Sequence, residues 1–387
     1  MDYYSKRAEE LEPQIIESYL LLHQNPELGN EEYETADYIE KKLKELDGIE
    51  VSRPCPTGVM GVLKCARPGK TVAFRADIDA LPVEELVDVP YRSKKSGVMH
   101  ACGHDGHVAM LLGAARMLWE KREELSGEIR FLFQPAEEVT VGGAVDMIKG
   151  GVLEGVDLVF GAHLDVLNPV GSFGLHIGPL MASTSSFEIV IDGKGGHAAF
   201  PFQTVDTVYI AAQIIEAVQG VVTRNVSAMD RAVVTITQLK GSTASNIIPA
   251  KVVLGGTLRV LDAGCEDTLR QRLEEVVKGC CHAWGAEGDI VFGEGMKALI
   301  NPAEIHPQVE KAIKKCADAV IYEDSPVLGG EDFSAYLQEK PGYYYKVGAR
   351  PENGKIYPHH NPNFHLNVKG LARGAAVCAT LLADAVQ

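Results

Sequence analysis

The chain has 387 residues, 46% hydrophobic and 23% charged, enough for two domains at the usual ~150 residues each. A formal charge of -16 provides no basic stripe for phosphates and argues against nucleic-acid binding. The charged N-terminus lacks a signal peptide's apolar core, no apolar stretch reaches the ~18 residues of a membrane span, and the eight cysteines follow no disulfide spacing, so a cytoplasmic protein with reduced thiols is expected.

In chain order, 5–45 reads as helices, with Leu11, Ile15, Ile16, Tyr19 and Leu20 along one face and Ala36, Ile39 and Leu43 along the next. Apolar runs at 58–65 and 71–75 read as strands, followed by a helix over 108–125 and a strand at 129–133. A helical stretch bearing Ala144, Met147 and Ile148 then precedes a strand at 156–160. This alternation predicts an α/β fold with a mostly parallel, helix-covered sheet. From about Met181 the texture changes: a strand at 186–192, an amphipathic helix at 205–222, strands at 232–238 and 251–258, and a helix at 266–284. That order, β-α-β-β-α-β, predicts a smaller α+β (ferredoxin-like) domain. After Asn301 the α/β texture returns. The expected organisation is a discontinuous main domain, 1–180 plus 293–387, carrying an insertion at 181–292.

The segment Met99-His-Ala-Cys-Gly-His-Asp-Gly-His107 concentrates one thiol and three imidazoles ahead of the 108–125 helix. On an extended backbone Cys102 and His104 would leave from one face, as a thiolate and an imidazole suited to a metal such as zinc. Other polar groups fall at the carboxyl ends of expected strands: Asp77 and Asp79 after 71–75, Glu137 and Glu138 after 129–133, and His163 after 156–160. Glu331 and Asp332 come after Val327-Leu328 and two glycines. In open α/β sheets ligands bind outside those ends, so the groups can converge on one crevice. Singly, each has a plainer reading: a solvated turn for Glu137-Glu138, a core histidine for His163, a surface loop for His359-His360. A carboxylate pair beside a Cys-His cluster suits metal-assisted hydrolysis, one member binding metal while its neighbour moves protons.

Together these segments resemble the metal-dependent amidohydrolases of the M20 peptidase family, in its aminoacylase, hippurate hydrolase and auxin-conjugate hydrolase branch. The resemblance runs in order over nearly the whole chain. Besides the 99–107 segment it is carried by Arg75-Ala-Asp-Ile-Asp-Ala-Leu-Pro82, Gln134-Pro-Ala-Glu-Glu138, Gly161-Ala-His163 and Gly195-Gly-His-Ala198. It continues through Asn246-Ile-Ile-Pro249, Gly330-Glu-Asp-Phe-Ser334 and His360-Asn-Pro362. It implies Cys102, His104, Glu138, His163 and His360 as ligands of one or two divalent ions (zinc, manganese, cobalt or nickel), with Cys102 bridging. It also implies Glu137 as general base and acid, and His197 and Asn246 acting on substrate from an inserted lid and dimerisation domain. The implied substrate is a small N-acyl amino acid and the implied assembly a homodimer, with neither nucleic acid nor membrane as partner. Asp79 and Asp105 are expected to orient ligands. The chain departs from the family at Val139-Thr-Val-Gly-Gly143, where a glycine-rich run is usual, and at Leu164-Asp-Val-Leu167, where an aromatic is usual. Both departures bear on substrate identity. Competing readings are a dipeptidase or carboxypeptidase on the same metals, a binding protein on a degenerate hydrolase scaffold, and a redox-sensing Cys102.

Overall fold

The computed structural model describes residues 2–139, 142–242, 244–316, 318–352 and 355–387. The chain divides into two compact units, one formed by Met1–Gly178, Ile300–Ser325 and Asp332–Gln387, the other by Pro179–Leu299 with Pro326–Glu331.

The first unit is α/β. Its eight-stranded sheet runs in the order Ile49–Ser52, Val59–Lys64, Ser126–Gln134, Arg67–Asp77, Leu158–Asp165, Gly342–Gly348, Ser172–Leu175, Val320–Glu323. The four central strands, Ser126–Gln134 to Gly342–Gly348, are mutually parallel, and the antiparallel pairings lie to either side. Strands covered on both faces need near-continuous apolar runs; Val72–Asp77 is buried without interruption. Helix His104–Glu120 packs with helices Tyr3–Gln24 and Lys369–Ala385. The approach is close: a Cβ on Gly113 would come 2.8 Å from Ile15 Cδ1.

The second unit has the expected β-α-β-β-α-β order. Strands Ala232–Lys240, Lys251–Val260, Ser183–Asp192 and Glu287–Met296 lie in that spatial order as an antiparallel sheet, the ferredoxin-like arrangement. Residues alternate between buried and more exposed along Ser183–Asp192. Its inner face (Phe187, Ile189, Ile191) packs with Ile210 and Ile214 of helix Thr207–Asn225 and with Leu269 and Leu273 of helix Ala263–Ala283.

Four local expectations change. The helix expected from 108 begins at His104, because its polar first turn is buried against carboxylate partners, where apolar periodicity gives no signal. Cys102 and His104 are therefore not on an extended backbone: Gly103, at φ 87°, turns the chain between them into the helix. His163 lies within strand Leu158–Asp165 rather than after it. Val327 makes only an isolated bridge to Met181, so no strand at 327–328 leads into Glu331-Asp332; the preceding strand ends at Glu323.

Candidate metal centre

Three neighbouring parallel strands deliver most of the polar cluster. Asp77 ends the Arg67–Asp77 strand in register with Gln134, and Glu137 and Glu138 follow Gln134 by one tight turn. His163 comes from Leu158–Asp165, and Cys102 and His104 flank the glycine that opens the helix. His360 arrives from the far end of the chain, its N–H donating to Ala101 O at 2.8 Å.

The donor atoms fall into overlapping groups, each within 4.8 Å: Cys102, His104 and His163; Cys102, Glu138 and His360; His104, Glu137 and Glu138. Cys102 belongs to two of them, and its Sγ lies 3.4 Å from His163 Nε2. Glu138 Oε1 is 3.1 Å from His360 Nε2 and 3.9 Å from His104 Nε2, yet it is buried without an aligned hydrogen-bond donor. A soft thiolate, three imidazoles and a carboxylate in overlapping groups fit one or two divalent transition metals. The bond at each ring's far side leaves the near nitrogen available. His104 Nδ1 bonds Asp79 Oδ1 at 3.0 Å and His163 Nδ1 bonds Leu164 O at 2.7 Å, so both Nε2 lone pairs face inward.

Electrostatics divide the donor set: burial disfavours a charge on His104, but Asp77, Cys102 and Asp79 outweigh it and raise its pKa well above the ordinary imidazole range. Burial, with His107 and His359 nearby, holds His163 well below the ordinary imidazole range, in the neutral form that binds metal. Burial also pushes the Cys102 thiol well above its usual pKa, with His104 opposing; a divalent cation is what would make the thiolate the stable form. The Glu138 carboxylate, against partial burial, raises His360.

His107 is close but differently employed. Its Nε2 accepts from Leu164 N–H at 2.9 Å and its Nδ1 is bonded to Asp77, so no lone pair remains for a metal. Asp77 is in turn paired with Arg75, which also reaches Gln134 Oε1 at 2.8 Å and Asp332 Oδ1 at 2.6 Å. Burial works against the Asp77 charge, but Arg75, His104 and His107 outweigh it and hold its carboxyl well below the usual range. Asp79 bonds His104 Nδ1 through one oxygen and accepts from Glu138 N–H through the other, each at 3.0 Å. Asp105 does not: its carboxylate bonds His23 Nδ1 at 2.7 Å and Gly106 N–H at 2.8 Å.

Sequence reading passed over three groups around the cluster: His23, Glu85 and Glu32, all nearly inaccessible to solvent. His23 could have been found, because it continues the Ile15–Tyr19 buried face of the first helix, where a histidine needs a buried partner. Thr140 and Val141, in the unusual segment after Glu138, lie outside the described residues.

Within the second unit His197 and Asn246 are neighbours on a small ribbon. His197 pairs with Ile247, and Ala198 N–H donates to Asn246 O at 3.0 Å. Both side chains are exposed. Ala199 N–H donates to His197 Nδ1 at 3.0 Å, which fixes the neutral tautomer with its proton on Nε2.

The sequence profile of peptidase family M20/M25/M40 matches residues 73–384. Thermostable carboxypeptidase 2 of Saccharolobus solfataricus is 43% identical over 379 residues, covering 97% of this chain and 96% of that protein. N-acyl-L-amino acid amidohydrolase of Geobacillus stearothermophilus is 43% identical over 78% of this chain and 81% of its own length. A crystal structure from Bacillus subtilis, described as a dinuclear metal-binding peptidase of the M20 family, superposes with a TM-score of 0.87 at 33% identity, covering 98% of this chain and 99% of that one.

Proposed function

This chain belongs to peptidase family M20/M25/M40, and from that premise we propose that it hydrolyses the amide joining a small acyl group to an amino acid. It is a metal-dependent hydrolase of linear amides. The observation that carries the reading is the set of overlapping donor groups that link Cys102, His104, Glu138, His163 and His360, with Glu137 alongside. We assign those five as the side chains that would hold one or two divalent ions, Cys102 belonging to two of the donor groups.

A bound divalent ion supplies polarisation of the amide carbonyl and a lowered water pKa, toward ~7. Glu137 takes the proton of the attacking water and returns it to the departing amine nitrogen, a shuttle typically worth ~100- to 10,000-fold. His197, with its Nε2 proton, and the Asn246 amide donate to the oxygen that gains charge as the carbonyl carbon becomes tetrahedral. One such donor contributes roughly 3 kcal/mol. Asp79 keeps His104 Nε2 turned inward throughout.

The carboxypeptidase relative supports a second reading, peptide hydrolysis on the same metals. A panel of N-acetyl, N-benzoyl and longer N-acyl amino acids beside dipeptides and longer peptides separates the two. Free amino acid released from capped substrates, and lost with chelator and in Glu137→Ala, is the expected result. Release from peptides alone would move the chain to the peptidases. Glu137→Ala with bound metal and wild-type turnover would remove Glu137 from its role.

No helix among the described residues is long and apolar enough to cross a membrane. We assign the protein to the cytoplasm and to a homodimer assembled through the 181–292 segment. Sedimentation velocity on the full chain tests the dimer, and a monomer at micromolar concentration would remove it.

A further inference from the structure

Ala136, in the turn that connects strand Ser126–Gln134 to Glu137 and Glu138, has φ 53°, a left-handed conformation that costs a non-glycine residue roughly 1–2 kcal/mol. Its side chain does not explain this, so the surroundings must impose it. The Ala136 N–H donates to Glu32 Oε1 at 2.7 Å, and its carbonyl accepts from Gly143 N–H at 3.1 Å. Glu32 is fully buried and directly precedes helix Tyr33–Lys44, yet its carboxylate does not cap that helix. Glu27 takes that duty, accepting from Thr35 N–H at 2.8 Å, while its carbonyl accepts from Ala80 N–H at 2.7 Å. The 27–32 segment is thus tied at one end beside Asp79 and at the other to the Glu137 turn. It also fits tightly there: a Cβ on Gly29 would lie 2.6 Å from Val139 Cγ2 and 3.2 Å from Ala136 Cα. Burial raises the Glu32 carboxyl pKa against the opposing pull of its own N–H, the Thr57 hydroxyl and the Ala136 N–H, so this acid is held at a cost.

We propose that Glu32 is a positioning residue for hydrolysis, holding Ala136 in its left-handed turn so that Glu137 faces the attacking water and Glu138 the metal. This rests on the roles assigned above to Glu137 and Glu138. Without the acceptor the buried Ala136 N–H is orphaned, and the turn is free to relax to negative φ, which redirects both carboxylates. Misplacing a catalytic group by about 1 Å can cost ~100-fold.

The test uses the full chain as Glu32→Gln, Glu32→Leu and Glu32→Leu combined with Ala136→Gly. Glu32→Gln keeps an acceptor for Ala136 and retains wild-type kcat and zinc affinity. Glu32→Leu loses about 10- to 100-fold in kcat at unchanged KM, and zinc, titrated against a chromogenic chelator, binds at least about tenfold more weakly. Glycine accepts positive φ freely, so Ala136→Gly in that background recovers roughly tenfold of the loss. Glu32→Leu that lowers Tm but leaves kcat per zinc-loaded molecule and zinc affinity intact would overturn the proposal, as would a loss that Ala136→Gly does not relieve. If Glu32→Leu fails to fold, Glu32→Asp, which withdraws the carboxylate by one methylene, carries the same expectations. Zinc affinity is read without substrate. A wild-type chain that binds zinc but releases no amino acid from acyl substrates therefore sinks the functional reading and leaves the positioning test standing.

Discussion

Both carboxylate oxygens of Asp79 act on the cluster, one on His104 Nδ1 and one on the Glu138 N–H. Asp79→Asn keeps an acceptor for one partner but turns a donor toward the other. The expected outcome is zinc affinity weaker by about 10- to 100-fold, measured by chelator competition. Cys102 offers a second probe. It is buried, and its thiol is pushed upward in pKa, so alkylation by iodoacetamide should be slow, and slower still once zinc holds the sulfur as a ligand. Zinc that leaves the Cys102 labelling rate unchanged, at saturating occupancy, would remove the thiolate from the ligand set and revive the redox reading.

At the level of elements, the turn at Gly103 decides where the helix starts. Its φ of 87° is left-handed, and the nearest atom to an added Cβ is Phe364 Cζ at 3.6 Å, so substitution there is costly in conformation rather than space. Gly103→Ala should lower the free energy of unfolding by roughly 1–2 kcal/mol in denaturant titrations. The helix beginning was illegible for a related reason. Apolar spacing marks Val108 onward, whereas His104, Asp105 and His107 are buried by pairing with Asp79, His23 and Asp77, contacts that no local pattern encodes. The same holds for strand Leu158–Asp165, whose polar end looks like a loop until its neighbours are known. By contrast the alternation of strands and helices and the β-α-β-β-α-β run were readable, because amphipathic period and turn spacing are local properties. The proposed ligands were readable only as motifs. Their meeting depends on strand order, which brings Arg67–Asp77 between Ser126–Gln134 and Leu158–Asp165.

Across the whole main unit, His23 ties three parts of the chain together. Its Nδ1 faces Asp105 Oδ2 at 2.7 Å on one helix and its Nε2 faces Glu85 Oε1 at 3.3 Å on a loop, while His23 itself ends the first helix's buried face. Burial disfavours the His23 charge, but the two carboxylates outweigh it and raise the pKa to about 9. A folded pKa above the unfolded value of about 6.5 means that this contribution to stability is complete below pH ~6.5 and is lost as pH rises through about 9. Denaturant midpoints measured with chelator present should therefore fall between pH 6.5 and 9 in the wild type. His23→Gln should be less stable at pH 6.5 and show a flatter dependence. Equal slopes in the two proteins would show that His23 is not the group that titrates.

The sheet order also sets a timetable for synthesis. Strand Gly342–Gly348 lies between Leu158–Asp165 and Ser172–Leu175, so the middle of the sheet receives one of its last-made strands. Four of the five proposed ligands leave the ribosome by residue 163, and the fifth, His360, follows roughly 200 residues later. At about 5–20 residues per second that is a wait of roughly 10–40 s. During it the nascent chain exposes a thiol and two imidazoles with no finished sheet behind them. The proposed ligand set is therefore complete only once His360 has emerged, and a metal held before that point is held by at most four of the five side chains.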